Sequence, residues 1–186
     1  MKILLINNHT RHLPSLAVAL AGHDVEVRDY RPGLDFSCVD KDLVILSGGG
    51  GEGLEIHDEH KPGKLWYEDE MKFIRTTDRP ILGICMGLEI ITRAFGGSVK
   101  KLAKGVDGFV EFKPTDSGKK RFNKANLKQF EAHDWHVPKA PKGFRVLARS
   151  NTGIEIIEHK TRQILATQFH PEKGGTLELA NLLHAV

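Results

Sequence analysis

The chain has 186 residues, 40% of them hydrophobic and 27% charged, with a formal net charge of +3. This balance is typical of a globular protein with a sizeable core, and lysines scattered among acids argue against a nucleic-acid-binding surface. Two cysteines argue against a disulfide framework, and no apolar stretch approaches the ~18 residues of a membrane span, so we expect one cytoplasmic domain, residues 1–186, without nucleic-acid or membrane partners.

The first half of the chain alternates short apolar runs with longer amphipathic stretches. Apolar runs bounded by turns are typical of strands buried on both faces, and the longer stretches of helices. The predicted strands are residues 3–6, 24–30, 42–46 and 81–84, and the predicted helices are residues 13–20, 65–74 and 86–95. Strands that alternate with helices predict a doubly wound α/β fold with a mostly parallel central sheet and helices on both faces.

The second half of the chain has a different pattern. Residues 99–113 and 144–157 have the mostly alternating pattern of shorter strands, with turns at residues 105, 116–118 and 138–143. Residues 164–169 are predicted to form another strand, and residues 176–185 a terminal helix. We therefore expect a small additional antiparallel β region beside the parallel sheet.

The apolar run at residues 81–84 ends in Cys85, with Gly83 and Gly87 two residues to either side. Glycines so placed permit the tight strand-to-helix turn of a nucleophile elbow. The helix predicted from Met86 would lower the pKa of the thiol through its dipole and aim amides at the group under attack. An unreactive core cysteine is the alternative, and the surroundings favour a nucleophile.

His170 and Glu172 follow the predicted strand at residues 164–169. Ligand chemistry in doubly wound sheets collects at the carboxyl ends of strands, where Cys85 also lies. A carboxylate near the imidazole can hold one ring nitrogen and leave the other to take the thiol proton. We interpret the three residues as nucleophile, base and orienter; a routine hydrogen-bonding histidine is the alternative.

A glycine-rich segment, residues 47–51, follows the third predicted strand. It lacks both the Gly-x-x-x-x-Gly-Lys-Ser/Thr pattern and a Gly-x-Gly-x-x-Gly pattern followed by a helix start, which argues against a nucleotide-binding loop. We expect this segment to give a backbone N–H to an oxyanion, with a simple flexible turn as the alternative.

Three motifs occur in the order and spacing of the class I (triad-type) glutamine amidotransferases, and the chain resembles that family over nearly its whole length. The motifs are Leu46-Ser47-Gly48-Gly49, Gly83-Ile84-Cys85-Met86-Gly87 and Gln168-Phe169-His170-Pro171-Glu172. The resemblance implies a flavodoxin-like fold. It is strongest to free-standing amidotransferase subunits that serve a separate synthetase.

The resemblance also implies a mechanism. Cys85 would attack the side-chain amide of glutamine, and His170, oriented by Glu172, would protonate the departing ammonia and then activate water against the thioester. The oxyanion and substrate-binding residues that it implies are Gly48, Gly49, Met86, Glu89, Trp135 and His136. Ammonia would pass to an ATP-dependent synthetase partner, and this chain would need no cofactor and no metal.

Three departures from the family pattern affect substrate binding. Glu89 stands where the family usually has glutamine, which leaves the substrate identity open but not the acyl-transfer chemistry. Residues 133–137 lack the usual Gly-Asp after the histidine, so Trp135 is either a substrate contact or a core or interface aromatic. An insertion at residues 54–64 carries histidines and acids without a regular metal-ligand spacing, so we expect a polar lid or a partner-facing loop.

Two other functions remain compatible with these residues. A free-standing cysteine hydrolase of γ-glutamyl compounds would use the same triad without ammonia transfer. A non-catalytic binding module on the same fold is the third hypothesis, and the intact Cys85, His170 and Glu172 argue against it.

Overall fold

The computed structural model describes residues 1–50, 54–56 and 65–186. Within these ranges it contains one nine-stranded sheet and five α-helices. The strands are β1 (Lys2–Asn8), β2 (Asp24–Asp29), β3 (Leu43–Gly49), β4 (Ile81–Ile84), β5 (Lys100–Pro114), β6 (Leu127–His136), β7 (Phe144–Arg149), β8 (Ile154–His159) and β9 (Ile164–Thr167). The helices are α1 (Leu13–Ala19), α2 (Glu68–Thr76), α3 (Met86–Ala94), α4 (Asp116–Phe122) and α5 (Leu179–Leu183).

The sheet is mixed, which corrects the expectation of a mostly parallel one. Its strand order is β2-β1-β3-β4-β9-β8-β7-β5-β6. The five strands from β2 to β9 pair in parallel, whereas every pairing from β9 through β8, β7 and β5 to β6 is antiparallel. The antiparallel part is therefore as extensive as the parallel part, and it continues the same sheet.

The inner parallel strands β1, β3 and β4 carry apolar runs because both of their faces are covered, whereas the edge strand β2 alternates valine with charged side chains. Along β1, Ile3 and Leu5 pack into one core with α1 and α5, while Leu4 and Ile6 pack into the other with α2 and α3. All four side chains are at most 1% exposed. Full burial of such a side chain contributes roughly 1.5–3 kcal/mol, so the unbroken apolar runs specify a strand inside a three-layer arrangement.

Strand β6 was not predicted from the sequence. Its alternate positions are buried, but they carry polar side chains at Gln129, Glu131 and His133 after Leu127. A strand whose inward positions are polar lacks the alternating apolar signal by which strands are recognised. Its pairing with the long β5 strand, from Phe112↔Leu127 to Lys100↔His136, supplies the stabilisation instead.

Helix α4 lies where the sequence predicted only a turn at residues 116–118. Thr115 begins it, with its hydroxyl accepting a hydrogen bond from the Gly118 amide at 3.2 Å, and Asn123 ends it in the left-handed conformation. These are ordinary start and stop signals. The helix was missed because Asp-Ser-Gly also favours a turn.

The predicted insertion at residues 54–64 falls mostly outside the described residues, which include only 54–56 of it. Residues 144–157, for which the sequence indicated strand structure, contain β7 and the start of β8, and the terminal helix is shorter than predicted. In the part of the chain that the structure describes, no helix has the length and apolar character that a membrane crossing requires.

Candidate active site

The candidate site lies where three neighbouring parallel strands end. Strands β3, β4 and β9 are adjacent in the sheet. Their carboxyl ends lead into the glycine-rich segment at residues 47–50, into Cys85, and into Gln168, Phe169 and His170. The topology thus brings together three motifs that are far apart in sequence, as expected for a site at the carboxyl edge of a parallel sheet.

Cys85 occupies a strained turn between β4 and α3. Its φ of 51° and ψ of −105° are unusual for a residue with a side chain, and such conformations cost about 1–3 kcal/mol. Its amide donates to the carbonyl of Thr167 at 2.7 Å, which fixes the turn against β9. This is the geometry of a nucleophile elbow.

The two glycines that flank the elbow serve close packing. A Cβ on Gly83 would come within 2.6 Å of the Ile91 Cδ1 atom, and a Cβ on Gly87 would clash with the carbonyl oxygen of Leu46. Helix α3 can therefore approach β3 and β4 this closely only with glycine at both positions. The glycine requirement was predicted from the sequence, but its cause is packing of the helix on the sheet.

The thiol of Cys85 is not activated as the sequence predicted. Burial, with smaller contributions from the carboxylates of Glu89 and Glu172, raises its pKa well above the ordinary value. The amide of Met86 and the side chain of Gln168 act in the opposite direction but are outweighed. The helix start therefore lowers the thiol pKa as expected, through the Met86 amide, but the expectation of a favoured thiolate is wrong because burial outweighs that contribution.

His170 and Glu172 form a buried pair. The Nδ1 atom of His170 lies 2.7 Å from Oε1 of Glu172, and the two side chains are 3% and 0% exposed. A short turn at Pro171–Lys173 folds the carboxylate back onto the ring, and the His170 amide donates to the carbonyl of Phe130 at 2.8 Å. Since a carboxylate can only accept, the ring proton belongs on Nδ1, which leaves Nε2 able to take a proton.

Gly48 shows that Cys85 and His170 converge. A Cβ on Gly48 would lie 2.8 Å from Cε1 of His170 and 3.5 Å from Cβ of Cys85, so both side chains border the same small space. Thr10 borders it too, with Oγ1 at 3.5 Å. Only a residue without a side chain leaves this space open.

A cavity of about 500 Å³ opens over this point. Of the predicted site residues, Gly49, Cys85, Met86, Glu89, Trp135 and His170 line it. His136, at the end of β6, lies beside Gly153, where a Cβ would come within 2.7 Å of its Nδ1 atom. The structure therefore brings Trp135 to the cavity, whereas His136 is not among the described residues that line it.

Glu89 is buried beside the thiol. Its Oε1 atom accepts a hydrogen bond from Nε2 of Gln168 at 3.0 Å, and the same nitrogen lies 4.0 Å from Sγ of Cys85. Burial raises the pKa of Glu89 to about 7, although the Gln168 bond and the charge of His133 oppose the shift. Near neutral pH this carboxyl can therefore be either an acceptor for an ammonium group or a neutral acid.

Several cavity residues were not selected from the sequence. His12 packs edge-on against His170, with ring centroids 4.6 Å apart. His133 faces acceptors with both ring nitrogens, the carbonyl of Trp135 at 2.6 Å and the carboxylate of Glu131 at 3.0 Å. His12 follows the carboxyl end of β1, so the rule that located Cys85 could have found it; the placement of His133 depended on the unpredicted β6.

No set of three or more His, Cys, Asp or Glu side chains that could hold a metal ion occurs among residues 1–50, 54–56 and 65–186. The histidines and acids of the insertion, at residues 57–60, lie outside these ranges.

Comparison with known proteins identifies the family. The model of the family "Glutamine amidotransferase class-I" matches residues 4–185. The chain therefore belongs to the class-I glutamine amidotransferases, and it is a glutamine amidotransferase. The comparisons do not favour the stand-alone hydrolase.

The curated relatives include GMP synthases that hydrolyse glutamine. The chain is 31% identical over 178 residues to a glutamine-hydrolysing GMP synthase subunit of Methanothrix thermoacetophila, and the match covers 95% of this chain and 91% of the relative. It is 33% identical over 150 residues to the glutamine-hydrolysing GMP synthase of Brachyspira hyodysenteriae, where the match covers 79% of this chain but only 27% of that protein. The similarity to the longer relative is therefore confined to about a quarter of its length.

Solved structures share the architecture. A protein from Thermoplasma acidophilum, described as a GMP synthase subunit, superposes with a TM-score of 0.75 at 28% identity, covering 92% of this chain and 84% of that one. A glutamine amidotransferase from Thermotoga maritima gives a TM-score of 0.72 at 19% identity, covering 92% and 76%, which shows the fold alone.

Proposed function

We propose that this protein hydrolyses the side-chain amide of glutamine through a thioester on Cys85 and delivers the ammonia to a separate, ATP-dependent synthetase of the GMP synthase type. The observation that carries this proposal is the convergence of Cys85 and the buried His170–Glu172 pair on the space that Gly48 leaves open. The synthetase assignment is supported by the names of relatives that match this chain over nearly its full length.

In the proposed mechanism, Nε2 of His170 takes the thiol proton as Sγ of Cys85 attacks the amide carbon. The resulting tetrahedral intermediate collapses when His170 returns that proton to the amide nitrogen, and ammonia leaves. Water then attacks the thioester with His170 as the base, which releases glutamate and restores the thiol. Glu172 holds the ring in the required tautomer and stabilises the imidazolium at both steps.

Because the pKa of the Cys85 thiol is raised, the proposed mechanism needs His170 to remove the thiol proton. Because burial and two nearby carboxylates disfavour a free thiolate, proton transfer has to accompany attack. We propose that the carbonyl oxygen, as it becomes an oxyanion, is held by the amides of Gly49 and Met86. Removing one such donor typically costs ~10²–10³ in rate. Met86 is the first residue of α3, so the partial positive charge of the helix start adds to this stabilisation.

The substrate's α-amino group is the proposed partner of Glu89. The Glu89 carboxylate would accept a hydrogen bond from an ammonium group more strongly than the amide of the family's glutamine does. The positive charge of the bound ammonium would also offset the effect of the carboxylate on the thiol pKa. Trp135 would form the opposite wall, since it lines the same cavity. We propose no cofactor or metal for this chain, because each step uses only the thiol, the imidazole, the carboxylate and water.

The test is mass spectrometry of the protein mixed rapidly with glutamine, together with an assay of released ammonia. We expect an adduct on Cys85 equal to a γ-glutamyl group and slow ammonia release that rises when the synthetase is added. Cys85→Ala should abolish both signals, whereas Cys38→Ala is the matched control, because Cys38 lies beside Thr77, with its Sγ 3.9 Å from the hydroxyl. Ammonia release that survives Cys85→Ala would remove this residue from the mechanism.

A further inference from the structure

A buried carboxyl group outside the catalytic residues lies behind the loop that would hold the oxyanion. Glu70 belongs to α2 and is 0% exposed. A carboxyl group is seldom fully buried without a strong partner, because loss of hydration is costly. The Asn8 side-chain amide donates a hydrogen bond to Oε1 of Glu70 at 3.1 Å, and no described residue forms a hydrogen bond with Oε2.

Asn8 connects this carboxyl to the loop at residues 47–50. Its backbone amide donates to the Ser47 hydroxyl at 2.8 Å, and that hydroxyl donates to the Gly48 carbonyl at 2.6 Å. Asn8 is also the register partner of Gly49, and a Cβ on Gly49 would clash with the Asn8 carbonyl oxygen. The position of the loop backbone is therefore set by Asn8.

We propose that Glu70 is a positioning residue for the loop at residues 47–50: its carboxyl group fixes the Asn8 side chain, and Asn8 fixes the backbone that faces Cys85 and His170. The inference rests on the proposed function, because the exact placement of this loop affects turnover only if the loop stabilises an oxyanion. Glu70 itself is not placed at the reacting atoms.

The protonation state of Glu70 makes this role testable. Burial raises the pKa of Glu70 to about 8, and the Asn8 hydrogen bond opposes the shift. Among the described residues, the titratable groups near it are Tyr30, which follows β2, and Asp69 on its own helix. Burial and the carboxyl groups of Glu70 and Asp69 raise the pKa of Tyr30, so its phenol stays neutral. Neither neighbour can offset an anion at Glu70.

The consequence is a loss of function at alkaline pH. Below about pH 8 the neutral acid is tolerated in its buried position, whereas above it the carboxylate has no countercharge among the described residues and favours water entry and displacement of α2 or Asn8. We therefore expect kcat for glutamine to fall above about pH 8 in the native protein. Glu70→Gln keeps an acceptor for Asn8 but cannot ionise, so its kcat should not fall in that range.

The experiment compares Glu70→Gln, Glu70→Leu and the matched control Asp69→Asn, which neutralises the neighbouring carboxylate on the same helix. Two rates are measured for each: kcat of ammonia release from glutamine, with KM and over a pH series, and alkylation of Cys85 by iodoacetamide, which forms no oxyanion. We expect Glu70→Leu to lose about tenfold or more in the first rate at unchanged KM, within the range for a misplaced oxyanion donor, and to keep the second. Asp69→Asn should resemble the native protein in both rates.

Two results would overturn the inference. The first is a Glu70→Leu protein with native kcat. The second is an alkaline fall in kcat that persists unchanged in Glu70→Gln. The pH profile of Glu70→Gln can be measured even if Glu70→Leu does not fold. A native protein that alkylates at Cys85 but never releases ammonia from glutamine refutes the proposed function first, and the inference with it.

Discussion

Replacing Gly48 with alanine should move the side chains of Cys85 and His170, which we propose to react, apart while leaving the fold intact. The added Cβ would lie 2.8 Å from Cε1 of His170, so the ring would have to retreat by about 0.6 Å to reach ordinary contact at 3.4 Å. The ring cannot turn aside freely, because Glu172 holds Nδ1 and the side chain is 3% exposed. Since a 1 Å misplacement of reacting groups can cost about 10²-fold, we expect kcat to fall roughly 10–100-fold.

The assay is single-turnover ammonia release, with thermal unfolding measured in parallel. Overpacking costs about 1–3 kcal/mol, so Tm should fall by roughly 2–12 °C with a cooperative transition retained. If Gly48→Ala acts through His170, adding it to His170→Ala should cause no further loss, because the two changes affect one interaction. Activity within about twofold of the native protein, or an additive double variant, would refute this account of Gly48.

Three further outcomes follow from the electrostatics. Glu172→Gln should lower kcat by on the order of 10²–10⁴-fold without abolishing activity, because the variant would lose only the orientation of the His170 ring and the stabilisation of its imidazolium. Iodoacetamide should still alkylate Cys85 in this variant. Glu89→Gln should move the pH dependence of that alkylation to lower pH, since the Glu89 carboxylate contributes to the raised pKa of the thiol; an unchanged profile would contradict this. Burial, with the charge of Glu131, raises the pKa of Glu155 from 4.5 to about 8, so between these values the folded state holds a proton that the unfolded state has lost. Thermal stability should therefore fall as pH rises from about 5 to 8, and Glu155→Gln should flatten that slope in a calorimetric series.

The parallel half of the fold could be predicted because its signals are local. An apolar run such as residues 3–6 specifies a doubly buried strand, and the alternation with helices specifies parallel pairing. The same reasoning located Cys85 and His170 at adjacent strand ends, and the pair formed by His170 and Glu172 follows from a two-residue spacing.

The remaining features depend on contacts between distant parts of the chain. The inward positions of β6 are polar because Gln129 bonds the segment at Leu177, 48 residues away, and His133 bonds Glu131 within the cavity wall. The thiol pKa depends on burial that no local pattern specifies. Glu70 occupies an ordinary position in an acidic first turn, and only the tertiary structure shows that it is buried against Asn8.

The mixed sheet divides the site between its two halves. The parallel half carries the groups that we propose to react, because Cys85 and His170 both follow parallel strands. The antiparallel half supplies the wall: β6 places the Ala132 carbonyl 3.9 Å from the thiol and Trp135 in the cavity. The register of the β5–β6 pairing shifts between Lys101 and Val106, and Gly105, within that irregular stretch, lines the same cavity. Changes in that hairpin should thus reshape the cavity without moving Cys85, so in the proposed mechanism substrate binding and bond cleavage depend on different parts of one sheet.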